Sequence, residues 1–172
     1  MTTMDTVRQQ PGITVQITKK FKDIQINLSK LRKLVKTVCA RFNLLNATVS
    51  ITLVGDAEIK RLNKQFLNRN STTDCLSFNL SYDGIDSVKS FELVINAERA
   101  VEQAALREHS GQAELALYVT HGLLHNLGFN DSSLRQAKKM HDTEDKILQQ
   151  LGYGLVYNKA LSGSKRKSKT QD

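Results

Sequence analysis

Apolar and polar residues alternate along four separate segments of the chain, and this period of two residues predicts four β-strands. The segments are residues 13–17, 47–54, 75–78 and 91–95. The second segment, A-T-V-S-I-T-L-V, is also rich in β-branched residues, which favour strands. A turn around Asp83–Gly84 is predicted between the third and fourth strands, because both residues are typical of turns.

Apolar residues spaced three and four positions apart predict five helices between and after these strands. In the first helix the apolar stripe comprises Leu31, Leu34, Val35, Val38 and Phe42, and Ser29 is placed to cap it. The other helices are predicted near residues 56–66, 97–109, 112–127 and 133–151, and Asp56 is the expected cap of the first of these. This order of elements predicts an α+β fold, a small mixed β-sheet of about four strands packed with about five helices.

The length of 172 residues suits a single domain with its own core, which we assign to residues 13–157. Residues 1–12 are predicted to be a mobile N-terminal arm, and residues 158–172 a disordered basic tail. The net charge is +8, and the segment from residue 159 onward contributes five basic residues against one acidic, or +4. This charge favours an anionic partner such as nucleic acid.

Cysteine content and hydropathy bear on the compartment. The two cysteines, Cys39 and Cys75, lie outside any C-x-x-C motif and favour a reducing cytoplasm. No apolar run approaches the roughly 18 residues of a membrane-spanning helix. Residues 1–12 lack the apolar stretch of a signal peptide. We therefore expect a cytoplasmic protein with no membrane segment.

The segment from Thr120 to Ser132, T-H-G-L-L-H-N-L-G-F-N-D-S, carries the strongest candidate chemistry. His121 and His125 are four apart, so on a helix both imidazoles lie on one face. Gly128 can adopt the left-handed conformation that ends a helix and turns the chain back. Asp131 then follows as a third donor. Two histidines and a carboxylate around an open coordination position are typical of a catalytic metal site.

The alternative is that the two histidines are ordinary residues of an apolar helix that fall together by chance. The apolar surroundings argue for a partner, because a buried imidazole needs one. His141 is a second candidate for the third ligand, ten residues after Asp131 in the last predicted helix. Gly122 stands where the H-E-x-x-H motif of metallopeptidases has its general-base Glu, which argues against a peptidase.

Three ordered motifs resemble those of the YbeY endoribonucleases, the bacterial rRNA maturation factors. The segment H-G-L-L-H-N-L-G-F-N-D resembles the family signature H-G-x-L-H-L-x-G-x-D-H. L-N-K-Q-F-L at 62–67 and T-D-C-L-S-F at 73–78 resemble L-N-x-x-[YF]-R and T-D-V-L-S-F, and F-E-L-V-I at 91–95 resembles G-D-I-x-I loosely. The resemblance covers roughly residues 13–155. It implies a metal-dependent, single-strand-specific ribonuclease with zinc as its usual metal.

The resemblance also implies residue roles and biological context. His121, His125 and Asp131 are the expected ligands of one zinc ion, although the family has His where Asp131 stands. Asp74 and Ser77 are expected to bind the substrate. The family's Arg before the loop is Leu67 here, and Arg69 is the expected catalytic cation in its place. The implied role is maturation of the 3′ end of small-subunit rRNA and ribosome quality control.

Two other functions remain open from the residues. A non-catalytic ribosome assembly factor of the same fold, bound to the small ribosomal subunit, is favoured by Leu67 and Asp131. A metallopeptidase-like hydrolase is opposed by Gly122 and by the basic charge. The residues do not identify a general base, for which Glu92 and Glu114 are the options, each weighed against a role as an ordinary surface carboxylate.

Overall fold

The computed structural model describes residues 12–82 and 88–158, which contain four strands and five helices. In chain order these are β1 (Ile13–Lys19), α1 (Leu28–Arg41), β2 (Ala47–Val54), α2 (Asp56–Leu67), β3 (Cys75–Asn79), β4 (Lys89–Asn96), α3 (Ala97–Leu106), α4 (Gly111–Asn126) and α5 (Leu134–Gln150). The predicted α+β class, with about four strands and five helices, is confirmed. The predicted turn at Asp83–Gly84 and the basic residues from 159 onward lie outside the described residues.

The strands form one mixed sheet in the order β1-β2-β4-β3. β1 pairs with β2 in parallel, with Ile13 opposite Ala47, and β2 pairs with β4 in parallel. β3 runs antiparallel to β4 at the edge of the sheet, with Ser77 opposite Leu93. Three parallel strands thus form the frame of the sheet, and the strand that carries the T-D-C-L-S-F motif is added antiparallel at one edge.

The two faces of the sheet are covered unequally. One face packs under α1, α3 and α4, with α5 packed on α4, and contributes Val49, Ile51, Leu53, Leu93 and Ile95 to the main core. The other face packs against α2 alone, where Val54, Leu76 and Val94 meet Ile59. Because side chains alternate along a strand, neighbouring residues of β4 belong to different cores.

Helix α4 lies at the centre of the domain. Every position from Ala113 to Leu124 is buried except His121. A helix that is apolar on all sides is expected to be enclosed by other elements, and α4 contacts α1, α3, α5, β3 and β4. The sheet and the surrounding helices therefore hold α4 rigidly, and with it the histidines near its end.

Two predicted helix caps differ from those in the structure. The side chain of Asn27, not Ser29, accepts a hydrogen bond from the Lys30 N–H at the start of α1. Gly55 precedes α2, and the carboxylate of Glu98 from α3 accepts the hydrogen bond of the Asp56 N–H at 2.8 Å. In the second case a neighbouring helix supplies the cap, which a local sequence pattern does not reveal.

Within residues 12–82 and 88–158, no helix combines the length and the apolar character needed to cross a membrane.

Candidate metal centre and adjoining cleft

The C-terminus of α4 is shaped by Gly128, as the sequence predicts. Gly128 has φ +92°. Its N–H donates to His125 O at 3.0 Å, and the Phe129 N–H donates to Leu124 O at 2.9 Å. These two bonds form a Schellman motif, which reverses the chain after the helix. The chain then returns past the histidines, and the Asn130 side chain accepts from the Ser132 N–H at 2.9 Å to hold the loop that presents Asp131.

His121 and His125 face one another through their Nε2 atoms, which are 3.1 Å apart. The Nδ1 of His125 lies 3.2 Å from Phe129 O, and the Nδ1 of His121 lies 2.7 Å from the Glu144 carboxylate. A carbonyl or carboxylate oxygen only accepts hydrogen bonds, so both Nδ1 atoms carry the proton in the neutral rings. Both Nε2 atoms then present lone pairs to each other, and a proton or a metal cation must lie between them.

Glu144 is a fully buried carboxylate on α5 that binds two histidines. Its other oxygen lies 2.8 Å from the Nδ1 of His141. Burial raises the pKa of Glu144, but the hydrogen bonds from His121 and His141 outweigh it, so the net pKa is lowered. Burial also lowers the pKa of His121, and the hydrogen bond and charge of Glu144 reverse this to a net increase. Glu144 is therefore an ionised acceptor that fixes the ring orientation of both histidines.

Asp131 completes a set of donors that suits a metal ion. Its Oδ2 lies 3.8 Å from the Nε2 of His125 and 4.0 Å from the Nε2 of His121. Donors bound tetrahedrally to one zinc ion lie about 3.4 Å apart. Two imidazole lone pairs and a carboxylate oxygen at these separations fit a divalent cation with little movement. A second group, His121, His141 and Glu144, also brings its ligand atoms within 4.8 Å of one another.

A cleft of about 120 Å³ adjoins this centre. Its walls are formed by Asp74, Arg99, Gln103, Arg107, Leu117, Tyr118, His121, His141, Glu144 and Tyr157. Asp74 lies at the start of β3, and its carboxylate accepts hydrogen bonds from the Cys75 N–H at 2.8 Å and the Thr73 hydroxyl at 3.1 Å. The ring of His141 stacks on Tyr157 with centroids 3.5 Å apart. The cleft thus joins the histidine centre to the N-terminal end of β3.

Ser77 and Gly122 meet where α4 packs on the sheet. A Cβ atom at Gly122 would lie 3.0 Å from Leu93 Cδ2, 3.4 Å from Cys75 Sγ and 3.7 Å from the Cβ of Ser77. Glycine is therefore suited to this position because the helix approaches β3 and β4 closely. The same contact places Ser77 beside the residue that follows His121.

The structure does not bring every predicted site residue into the cleft. Arg69 is exposed in the loop after α2, where its N–H donates to Asn63 O, and it is absent from the described residues that line the cleft. Glu92 lines a groove on the α2 face of the sheet. Glu114 is fully buried and pairs with Arg107 and His109, so neither carboxylate is positioned as a general base at the histidine centre.

Sequence reasoning missed three features of this site. The first is Glu144, although His141 and Glu144 at i, i+3 on one helix form a pattern that indicates an interacting pair. The second is the pair of cleft arginines, Arg99 in α3 and Arg107 at its C-cap, with Gln103 midway between them. This four-residue spacing places all three on one face. The third is Tyr157, which follows the last helix and has no recognisable signal.

The chain is similar to known proteins over most of its length. A family model described as Endoribonuclease YbeY matches residues 16–152. Endoribonuclease YbeY of Bacillus licheniformis is 30% identical over 135 residues, covering 73% of this chain and 85% of that protein. Endoribonuclease YbeY of Thermoanaerobacter sp. strain X514 is 31% identical over 144 residues, covering 75% of this chain and 91% of that protein.

A solved structure agrees in fold. The solution structure of TM1509 from Thermotoga maritima matches with a TM-score of 0.57 and 21% identity, covering 92% of this chain and 96% of that chain. At this identity the comparison concerns the fold alone. The family match spans the strands and helices of the site, from β3 and α3 to the histidines of α4 and the buried Glu144 of α5, whereas Tyr157 lies beyond it. The chain belongs to the endoribonuclease YbeY family.

Proposed function

We propose that this protein is a metal-dependent endoribonuclease that cleaves single-stranded RNA. Its substrate is an rRNA precursor, and its role is maturation of the 3′ end of small-subunit rRNA and ribosome quality control, in contact with the small ribosomal subunit. Membership of the YbeY family supports the reaction, because the relatives are named endoribonucleases. The two free cysteines agree with a reducing cytoplasm as its compartment.

The observation that carries the proposal is the pair of Nε2 atoms 3.1 Å apart with a carboxylate beside them. Glu144 and Phe129 O hold the Nδ1 protons of His121 and His125, so the remaining lone pairs converge on one position. His121, His125 and Asp131 would hold one zinc ion there with an open coordination position. The ion would supply Lewis acidity and lower the pKa of water in the site.

The remaining roles are assigned to Asp74, Ser77 and Arg69. Asp74 and Ser77 are proposed to bind the RNA strand, since Asp74 lines the cleft and Ser77 lies beside Gly122. Arg69 is proposed to stabilise the charge that develops on the phosphate being cleaved. Its loop is anchored by Asn63, whose side-chain amide donates to Ser71 O at 2.8 Å. Arg69 therefore projects from a fixed segment of the loop that leads to Asp74.

The proposal is tested by metal analysis and RNA cleavage on the same preparation. We expect about one zinc ion per chain by elemental analysis. A single-stranded RNA should be cleaved, and the same sequence in a duplex should remain intact. A chelator should stop cleavage, and zinc should restore it. Cleavage that persists after complete removal of metal, or a zinc-loaded protein that cleaves no single-stranded RNA, would contradict the proposal.

A non-catalytic ribosome assembly factor is the second candidate, favoured by one specific observation. Leu67 occupies the position of the motif's arginine and is 47% exposed, so an apolar side chain stands where the motif has a cation. In that case the protein binds RNA and the small subunit but does not cleave. A metallopeptidase is not favoured, because Gly122 is packed against Leu93 and leaves no space for the Glu of H-E-x-x-H.

A further inference from the structure

One face of α3, continued by its C-cap residue, forms a wall of the cleft. Arg99, Gln103 and Arg107 follow one another at four-residue spacing, and all three line the cleft. Four-residue spacing places side chains on the same face of a helix, with Arg99 and Arg107 about 12 Å apart along the axis. We call these three residues the α3 donor strip, because each side chain carries N–H donors.

Arg107 is fixed in position by a buried carboxylate. Its Nη1 donates to Glu114 Oε1 at 2.9 Å, and the Glu114 side chain is fully buried in the first turn of α4. His109 contacts the other oxygen of Glu114, so the carboxylate is held from two sides. A guanidinium has five N–H donors, and this bond uses one. The Arg107 side chain is 30% exposed, so its guanidinium is bound to Glu114 and remains accessible from the cleft.

Residues of the histidine centre also line the cleft. His121 and His141 line the same cleft as the donor strip, and so does Glu144. The cleft volume of about 120 Å³ exceeds the space that one ordered water needs and leaves room for a polar ligand group. A ligand in the cleft is therefore close to both His121 and the donor strip. Guanidinium groups suit phosphate oxygens in geometry and charge.

We infer that the α3 donor strip binds a phosphodiester of the RNA next to the bond that is cleaved. This inference rests on the proposed function and adds the residues that hold the strand. Arg99 and Arg107 are the arginines of the described residues that line the cleft, whereas Arg69 and Leu67 of the preceding loop do not line it. In this chain the cation that contacts the bound phosphodiester comes from α3, and its partner Glu114 comes from α4.

The test measures RNA binding without cleavage. A labelled single-stranded RNA is titrated in chelator with wild type, Arg99→Gln and Arg107→Gln, over a range of salt concentrations. Each substitution should weaken binding roughly tenfold. The slope of log K against log salt should fall by about 0.7 for each phosphate that the variant no longer binds. Arg32→Gln is the matched control, because Arg32 lines a separate groove on α1; it should change the affinity and the slope much less.

Each outcome decides the inference. Slopes and affinities equal to wild type in both cleft variants overturn it, as does an equal weakening in Arg32→Gln. If Arg107→Gln fails to fold because Glu114 loses its partner, Arg99→Gln, which is outside that ion pair, decides alone. A reduced slope in the cleft variants, together with a zinc-loaded wild type that does not cleave the same RNA, supports the donor strip and contradicts the endoribonuclease proposal. Cleavage by the zinc-loaded wild type, together with unchanged slopes of the cleft variants in chelator, overturns the strip and leaves the endoribonuclease proposal intact.

Discussion

At the residue scale, the identity of the third metal ligand depends on which histidine nitrogens are already occupied. The Nδ1 atoms of His121 and His141 both bind Glu144. The open lone pair of His121 therefore points to His125, and the donor nearest to both is Asp131. This arrangement favours Asp131 over His141 as the ligand, although His141 and Glu144 form the other group of suitable spacing.

Substitution of single candidate ligands tests whether Asp131 or His141 is the third metal ligand. His125→Ala should lose the metal, because two remaining ligands rarely hold zinc against buffer. Asp131→Ala should lower zinc affinity by at least about tenfold, and Asp131→His should raise it. His141→Ala is the matched control and should retain about one zinc ion per chain by elemental analysis. Retention of zinc in Asp131→Ala together with its absence from His141→Ala would assign the site to His141.

Arg69 is tested by single-turnover cleavage, because its proposed role belongs to the transition state. Arg69→Ala should reduce the cleavage rate by about 10²–10³, the size expected for removal of a stabilising donor. RNA binding should weaken much less, since one phosphate contact is a small part of the affinity. Leu67→Arg, which restores the cation of the family motif, is the complementary variant. Strong wild-type cleavage that is indifferent to Arg69 would refute this role.

At the element scale, the junction between α2, β3 and α3 depends on one buried amide. The Nδ2 of Asn96 donates to the carboxylate of Asp56 and to Thr73 O at 3.0 Å, while its Oδ1 caps α3 by accepting from the Arg99 N–H. Thr72 also donates to Asp56 at 2.8 Å. The segment before β3, which leads to Asp74 in the cleft, is thus tied to the start of both helices.

This junction predicts a pH dependence of stability. The hydrogen bond from Asn96 is the largest cause that lowers the pKa of Asp56, with Thr72 and Arg99 contributing, while burial opposes them. A carboxyl group with a lowered folded-state pKa adds stability above its unfolded pKa, and this stability is lost as the pH falls through the folded value. In chelator, wild type should therefore lose more stability than Asp56→Asn between about pH 5 and pH 2.

Urea unfolding at each pH measures this difference, with Glu102→Gln on the exposed side of α3 as the control. Glu102→Gln should follow the wild-type pH profile. A wild-type midpoint that falls no more steeply than that of Asp56→Asn would show that the Asp56 carboxylate carries no such stability.

The same junction contains features that the sequence predicts and features that it does not. The strands, the five helices and the reversal at Gly128 are predictable, because each depends on a local period or on a residue with special backbone freedom. The cap of α2 is not predictable, because Glu98 belongs to another helix and lies 42 residues further along the chain than Asp56. The contact of Glu144 with His121 escapes prediction for the same reason, because the two residues are 23 positions apart and sequence spacing does not report contacts between helices.

At the scale of the whole molecule, the central position of α4 links the fold to the site. The apolar contacts of α4 with the sheet and three helices fix its direction, and the Schellman motif at its end fixes the loop that carries Asp131. α5 contributes Glu144 and α3 contributes the donor strip, and both of these helices pack on α4. The cleft is therefore an outcome of helix packing rather than of any one motif.

The last described residues, up to Asn158, are tied to α5 by Asp145. The carboxylate of Asp145 accepts hydrogen bonds from the N–H groups of Val156, Tyr157 and Asn158 at 3.0–3.2 Å. These bonds hold Tyr157 where its ring stacks on His141. A deletion that begins at residue 158 would remove two hydrogen bonds to Asp145, from the N–H and from the side-chain amide of Asn158, so the basic segment is best removed from residue 159 onward.

Deletion of residues 159–172 should weaken RNA binding without lowering stability. The segment carries +4 of the net +8 and few apolar residues, so we expect its lysines and arginine to contact phosphates. The slope of log K against log salt should decrease by about 0.7 for each phosphate that the shortened chain no longer binds, and the urea midpoint should not change. A shorter chain that ends at Leu155 is the control, because it lacks the Asp145 bonds and should unfold at lower urea. An unchanged salt slope in the chain that ends at Asn158 would show that the basic segment makes no contact with RNA, and the affinity would then belong to the domain and its cleft.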